Sequence, residues 1–119
     1  MRTVSLFADW DPKPGFVLGK KDIDKKLTYL GSRVWRNPKV KIVNKEVREP
    51  GPTEVLIEVK ACGICGSDVH MYQKDKDGYI FYPGLTAFPC TLGHEFCGSV
   101  VKAGDKAINK RTGRKLEVG

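Results

Sequence analysis

The chain has 119 residues, 40% hydrophobic and 29% charged, which suits one modest globular domain and excludes wholesale disorder. Net charge is +7, a balance compatible with nucleic acid or a membrane surface. The lysines and arginines are spread along the chain and interleaved with Asp and Glu, so a solvated charged exterior is the expectation.

The most basic stretch, residues 109–115, carries no aromatic for base stacking, and no nucleic-acid partner is expected. There is no run of about 18 apolar residues to span a membrane. Asp9 and Asp11 interrupt the apolar start that a signal peptide would need, so a cytoplasmic protein is expected. Four cysteines, at 62, 65, 90 and 97, then read as metal ligands or buried thiols in preference to a disulfide framework.

In chain order, residues 3–8 alternate polar and apolar side chains and predict a short strand. The run Asp11, Pro12, Lys13, Pro14, Gly15 ends it, because proline fixes φ and removes a donor. Residues 10–38 read as a surface excursion with one possible helical turn. Alternation returns over 40–47, and Glu49-Pro50-Gly51-Pro52 is a strong turn signal. Residues 54–61, rich in β-branched side chains, make the best strand in the chain.

Ser67 is expected as an N-cap, with about two helical turns over 68–73. Residues 74–78 stop that helix. The spacing of Asp75, Asp77 and Gly78 opens like a calcium loop, but position 12 falls on Thr86 where a glutamate is required, so it is a turn. Residues 79–89 predict an ordered loop, 98–103 a strand, and 116–119 the opening of another. Short strands joined by Gly/Pro turns point to a mainly β barrel or sandwich.

Chemistry concentrates in two places. Residues 61–71 read A-C-G-I-C-G-S-D-V-H-M, and 93–98 read G-H-E-F-C-G. Cys65 offers a soft thiolate and His94 an imidazole, a pair suited to Zn²⁺, with Glu95 an adjacent carboxylate that could ligate or sit behind the metal. Ser67 and His70 read either as an N-cap and a surface imidazole or as a proton relay. Asp68 either caps the helix or orients an imidazole ligand. Cys62, Cys90 and Cys97 read as small buried hydrophobes. Neither G-x-G-x-x-G nor a Walker A sequence occurs.

The string C-G-I-C-G-S-D-V-H followed by G-H-E-x-x-G resembles the zinc-dependent medium-chain alcohol and polyol dehydrogenases, notably their sorbitol, threonine and inositol-type branches. The resemblance implies a GroES-like, partly open β-barrel catalytic domain, with residues 1–119 forming its amino-terminal part and stopping before a Rossmann domain. It implies zinc held by Cys65 and His94 with Glu95 as its acidic neighbour. It further implies a relay through Ser67 and His70, and Asp68 as partner of His94. Zinc would polarise the hydroxyl of a small alcohol or polyol for hydride transfer to NAD or NADP, bound by a domain beyond these residues. On that reading the 119 residues alone are inactive, and a homo-oligomer is possible. The alternative is a non-catalytic basic module that binds zinc or a partner.

Overall fold

The computed structural model describes all 119 residues. It is mainly β, with two sheets, neither closed on itself, and three short helices. Numbered in chain order, the elements are β1 (Arg2–Trp10), α1 (Lys20–Lys25), α2 (Gly31–Val34), β2 (Trp35–Asn44), β3 (Val55–Gly63), α3 (Gly66–Tyr72), β4 (Cys90–Thr91) and β5 (Glu95–Ala103). They divide between two compact units, one of Met1–Lys45 and Ile64–Gly93, the other of Glu46–Gly63 and His94–Gly119.

The first unit is built on the three-stranded sheet β2-β1-β4. β1 runs antiparallel to β2, with Val4 opposite Ile42 and Leu6 opposite Val40, and the register shifts between Phe7 and Asp9. Asn37 sits there at φ +56, and Pro38 follows it on the edge strand, where its missing N–H breaks no ladder bond. On the other side of β1, Leu6 pairs with Cys90.

The strand expected over 3–8 is present and longer. Its burial does not follow the simple alternation of the sequence: Ser5 and Leu6 are both buried, whereas Val4 is exposed.

The surface excursion expected over 10–38 needs correction. Its exposed part includes Val17, Ile23 and Leu27, and α1 buries no residue. Thr28, Gly31, Val34 and Trp35 are buried, and Val34, Trp35 and Ile80 form the core of this unit. Trp10 and Phe88 each meet the Trp35 ring edge-to-face at 5.0 Å between centroids. The hydrophobic residues of the segment have no regular period because they reach the core from a loop, a one-turn helix and a strand end in succession. Periodicity therefore gave no sign of them.

Residues 79–89 form the ordered loop expected, and Tyr79, Ile80 and Thr86 of that loop are buried. It is tied down by paired backbone bonds between Thr28 and Thr86 and by Ile80 N–H donating to Trp35 C=O. The turn over 74–78 is held by the Asp75 carboxylate, which accepts from the N–H groups of Asp77 and Tyr79. Burial opposes the charge on Asp75, but those two N–H groups and Lys13 prevail and lower its pKa.

The second unit is the antiparallel pair β3–β5 with its turns. The ladder runs from Val55 opposite Ala103 to Gly63 opposite Glu95, with shifts between Leu56 and Ile57 and between Val59 and Ala61. Two strands alone bury little, and Ala107 is the only apolar side chain of this unit in the buried core. Close backbone approach is what glycine supplies here. A Cβ on Gly98 would lie 2.2 Å from the Glu58 carbonyl oxygen, and one on Gly104 would lie 2.2 Å from those of Gly51 and Pro52.

The turn at 49–54 is closed by Glu54, whose carboxylate accepts from Gly51 N–H and takes both guanidinium donors of Arg48 at 2.8 and 2.9 Å. The strand expected over 116–119 does not form. Leu116 N–H donates to Ala107 C=O and Gly119 N–H to Val100 C=O without building a ladder.

Candidate metal and relay residues

Each motif segment takes its conformation from its own unit. In the first unit, Cys65, Ser67, Asp68 and His70 all fall on α3 or its cap. The cap is Cys65 and not Ser67, which lies one residue inside the helix. Cys65 is extended, at φ −94 and ψ 155, the backbone an N-cap requires.

The Cys65 N–H donates to Asp68 Oδ2 at 3.0 Å, and its carbonyl accepts from Asp68 N–H at 3.1 Å and Val69 N–H at 3.4 Å. Cys65-Gly66-Ser67-Asp68 thus has the spacing of a capping box with cysteine in the hydroxyl's place. The spacing is present in the sequence, but serine is the commoner cap residue and stands two positions later.

Cys65, Ser67 and Asp68 are half-buried, and His70 is exposed. Three positions apart on one helix, Ser67 and His70 share a face, as two groups that pass a proton must. The far end of α3 is anchored through the His70 carbonyl, which accepts from Phe81 N–H at 3.2 Å.

In the second unit, His94 and Glu95 are exposed and stand at the start of β5. Gly93, at φ +101, makes the turn into them, a conformation that favours glycine. Glu95 is the ladder partner of Gly63, and its Oε2 lies 3.2 Å from where a Cβ of residue 63 would stand. The carboxylate therefore folds back over Gly63. Cys65 follows Gly63 by two residues and His94 precedes Glu95 by one, so the chain itself tethers thiol and imidazole to the same rung.

The other cysteines differ in environment. Cys62 and Cys97 are exposed, against the expectation that they are buried. The expectation failed because β3 and β5 pair only with each other and leave these positions uncovered. Cys90 is half-buried, and burial raises its thiol pKa despite the opposing pull of Lys45.

A pocket of about 420 Å³ in the first unit is lined by Lys13, Pro14, Arg36, Asp77 and Tyr79. Its cations are already paired, Lys13 with Asp75 at 3.6 Å and Arg36 with Asp11 at 2.9 Å. Both also lie over the Tyr79 ring. It contains none of the metal or relay residues.

Mainly β architecture with unclosed sheets is compatible with a GroES-like domain of the alcohol dehydrogenase type. The chain belongs to that family: the alcohol dehydrogenase GroES-like domain matches residues 51–119. It is 63% identical to scyllo-inosose 3-dehydrogenase of Thermotoga maritima, over 100% of this chain and 30% of that one.

It is 43% identical to L-threonine 3-dehydrogenase of Caldanaerobacter subterraneus over 60% of this chain and 20% of the relative, and 35% identical to sorbitol dehydrogenase of Gallus gallus over 71% and 23%. A solved alcohol-dehydrogenase-type structure from Thermotoga maritima superposes with a TM-score of 0.86 at 63% identity, covering 99% of this chain and 30% of that one. The chain thus spans under a third of the length of these relatives. No helix is long and apolar enough to cross a membrane.

Proposed function

We propose that residues 1–119 are the metal-bearing amino-terminal part of the catalytic domain of a zinc-dependent, NAD(P)-linked dehydrogenase acting on a polyol or cyclic polyol ketone in the cytoplasm. The observation that carries this reading is the Gly63–Glu95 rung, to which the chain tethers the Cys65 thiol and the His94 imidazole from two distant segments. Sulfur, nitrogen and carboxylate oxygen are a donor set that suits zinc, so Cys65, His94 and Glu95 are the residues assigned to hold it.

When bound, zinc supplies Lewis acidity to the oxygen being oxidised or reduced. The remaining work falls to the chain. Asp68 steadies the cap of α3, and Ser67 and His70 are proposed to carry the departing proton toward solvent, with exposed His70 at the outer end. The 63% identity to a scyllo-inosose 3-dehydrogenase favours a ring-shaped polyhydroxylated substrate over a simple alcohol.

Hydride transfer also needs a nicotinamide held against the substrate. The 119 residues supplied alone with NAD or NADP and polyols are therefore expected to give no nucleotide reduction.

Zinc titration of the chain tests the metal assignment. One equivalent should bind, and Cys65→Ser and His94→Ala should each weaken binding by at least ten-fold. Unchanged affinity in both variants refutes the site, and dehydrogenase turnover by the 119 residues refutes the division of labour.

A further inference from the structure

Cys65 lies in a stretch whose glycines, Gly63 and Gly66, give the backbone little stiffness of its own. Its polar backbone groups are nevertheless both engaged, and by the same short piece of α3. The N–H goes to Asp68 Oδ2 at 3.0 Å, and the carbonyl receives Asp68 N–H and Val69 N–H. Closing the ring between residues 65 and 68 from both sides fixes φ and ψ of Cys65, and with them the direction of its Cα–Cβ bond.

From this closure we infer that Asp68 is a positioning residue for the thiol of Cys65: its carboxylate pins the backbone of the ligand so that the Cα–Cβ bond points one way before metal arrives and the sulfur has only its χ1 rotamers left to sample. The inference rests on the proposed role of Cys65 as a metal ligand. It adds to it a task for Asp68 that lies within the first unit and is separate from any contact with an imidazole.

Chemistry gives this task a signature. An ionised carboxylate accepting from a backbone N–H makes a charge-assisted bond, stronger than the neutral alternative. Asp68→Asn keeps an acceptor oxygen at the same place but loses the charge, whereas Asp68→Ala removes the acceptor and leaves the Cys65 N–H to water. Loss of a group that orients a metal ligand costs roughly 10–100-fold in metal affinity. A ligand without its pin should therefore lose affinity in graded order.

The test is amide hydrogen exchange of the metal-free chain combined with zinc affinity measured against a competing chelator. In Asp68→Ala the Cys65 amide should exchange at least about ten-fold faster, with the β1–β2 amides unchanged as the control for folding, and zinc should bind about 10–100-fold more weakly. Asp68→Asn should fall between Asp68→Ala and the parent on both readouts. Equal protection of the Cys65 amide in all three proteins overturns the inference, as does equal loss of zinc by Asn and Ala. If the parent binds no zinc, the metal assignment to Cys65 fails together with the positioning role. The exchange arm then still reports on the cap by itself, so the two failures remain distinguishable.

Discussion

Gly63 and Glu95 are ladder partners at the last rung of β3–β5, and the Glu95 carboxylate lies over the α-carbon of Gly63. A side chain at 63 would meet Oε2 at 3.2 Å, a contact that a flexible glutamate relieves by a small rotation. Gly63→Ala should therefore leave stability within about 0.5 kcal/mol of the parent, as ordinary surface substitutions do. Gly63→Val should turn the carboxylate away, with the Glu95 side-chain carboxyl resonance in NMR reporting the change.

Gly98 presents the opposite case. Its missing Cβ would lie 2.2 Å from the Glu58 carbonyl oxygen and 2.9 Å from the Glu58 carbonyl carbon, and backbone cannot swing aside. Gly98→Ala should cost about 1–3 kcal/mol by forcing β3 and β5 apart. Urea unfolding followed through the β3–β5 amides measures it, and a cost below that of Gly63→Ala would contradict this packing.

Trp35 is 2% exposed, and its Nε1 has no hydrogen-bond acceptor. Trp10 and Phe88 pack edge-to-face against its ring, so the indole is held by aromatic contacts and not by a hydrogen bond. Trp35→Ala should cost about 3–5 kcal/mol, as large-to-small core changes do. Trp35→Phe keeps an aromatic ring and removes the polar atom, so its midpoint in thermal unfolding should lie clearly closer to that of the parent.

The pKa of Glu54 is held at about 2, first by the Arg48 guanidinium and then by Gly51 N–H, against an ordinary value of 4.5. A carboxylate depressed in the folded state contributes stability that is complete above its unfolded pKa and fades as pH falls through the folded one. The turn at 49–54 should therefore loosen as pH falls from about 4.5 towards 2. Glu54→Gln should flatten that part of the profile, and amide exchange at Gly51 follows it directly.

Thiol labelling separates the cysteines. Cys62 and Cys97 are exposed, whereas burial raises the pKa of Cys90 and keeps it protonated at neutral pH. Alkylation at pH 7.5 resolved by peptide mass should modify Cys62 and Cys97 well before Cys90.

Local signals carried much of the fold. Strands β1 and β3 and the turns at 11–15, 49–52 and 74–78 stood where alternation, β-branching and Gly/Pro chemistry put them. The clustering of Cys65, Ser67, Asp68 and His70 was equally plain, because the chemistry falls within six consecutive residues. The cap was placed two residues late, on Ser67, because serine is a preferred cap residue and cysteine is not.

The sequence by itself determined the β-rich class, the stretches that carry soft and nitrogen donors, and the family, since all of these reside in residue type and short spacing. Tertiary structure alone decided that Val34 and Trp35 are core, that Cys62 and Cys97 are exposed, and that Gly63 faces Glu95. Those outcomes depend on which segments cover one another and on strand register, and pairings over tens of residues leave no periodic mark in the chain that makes them.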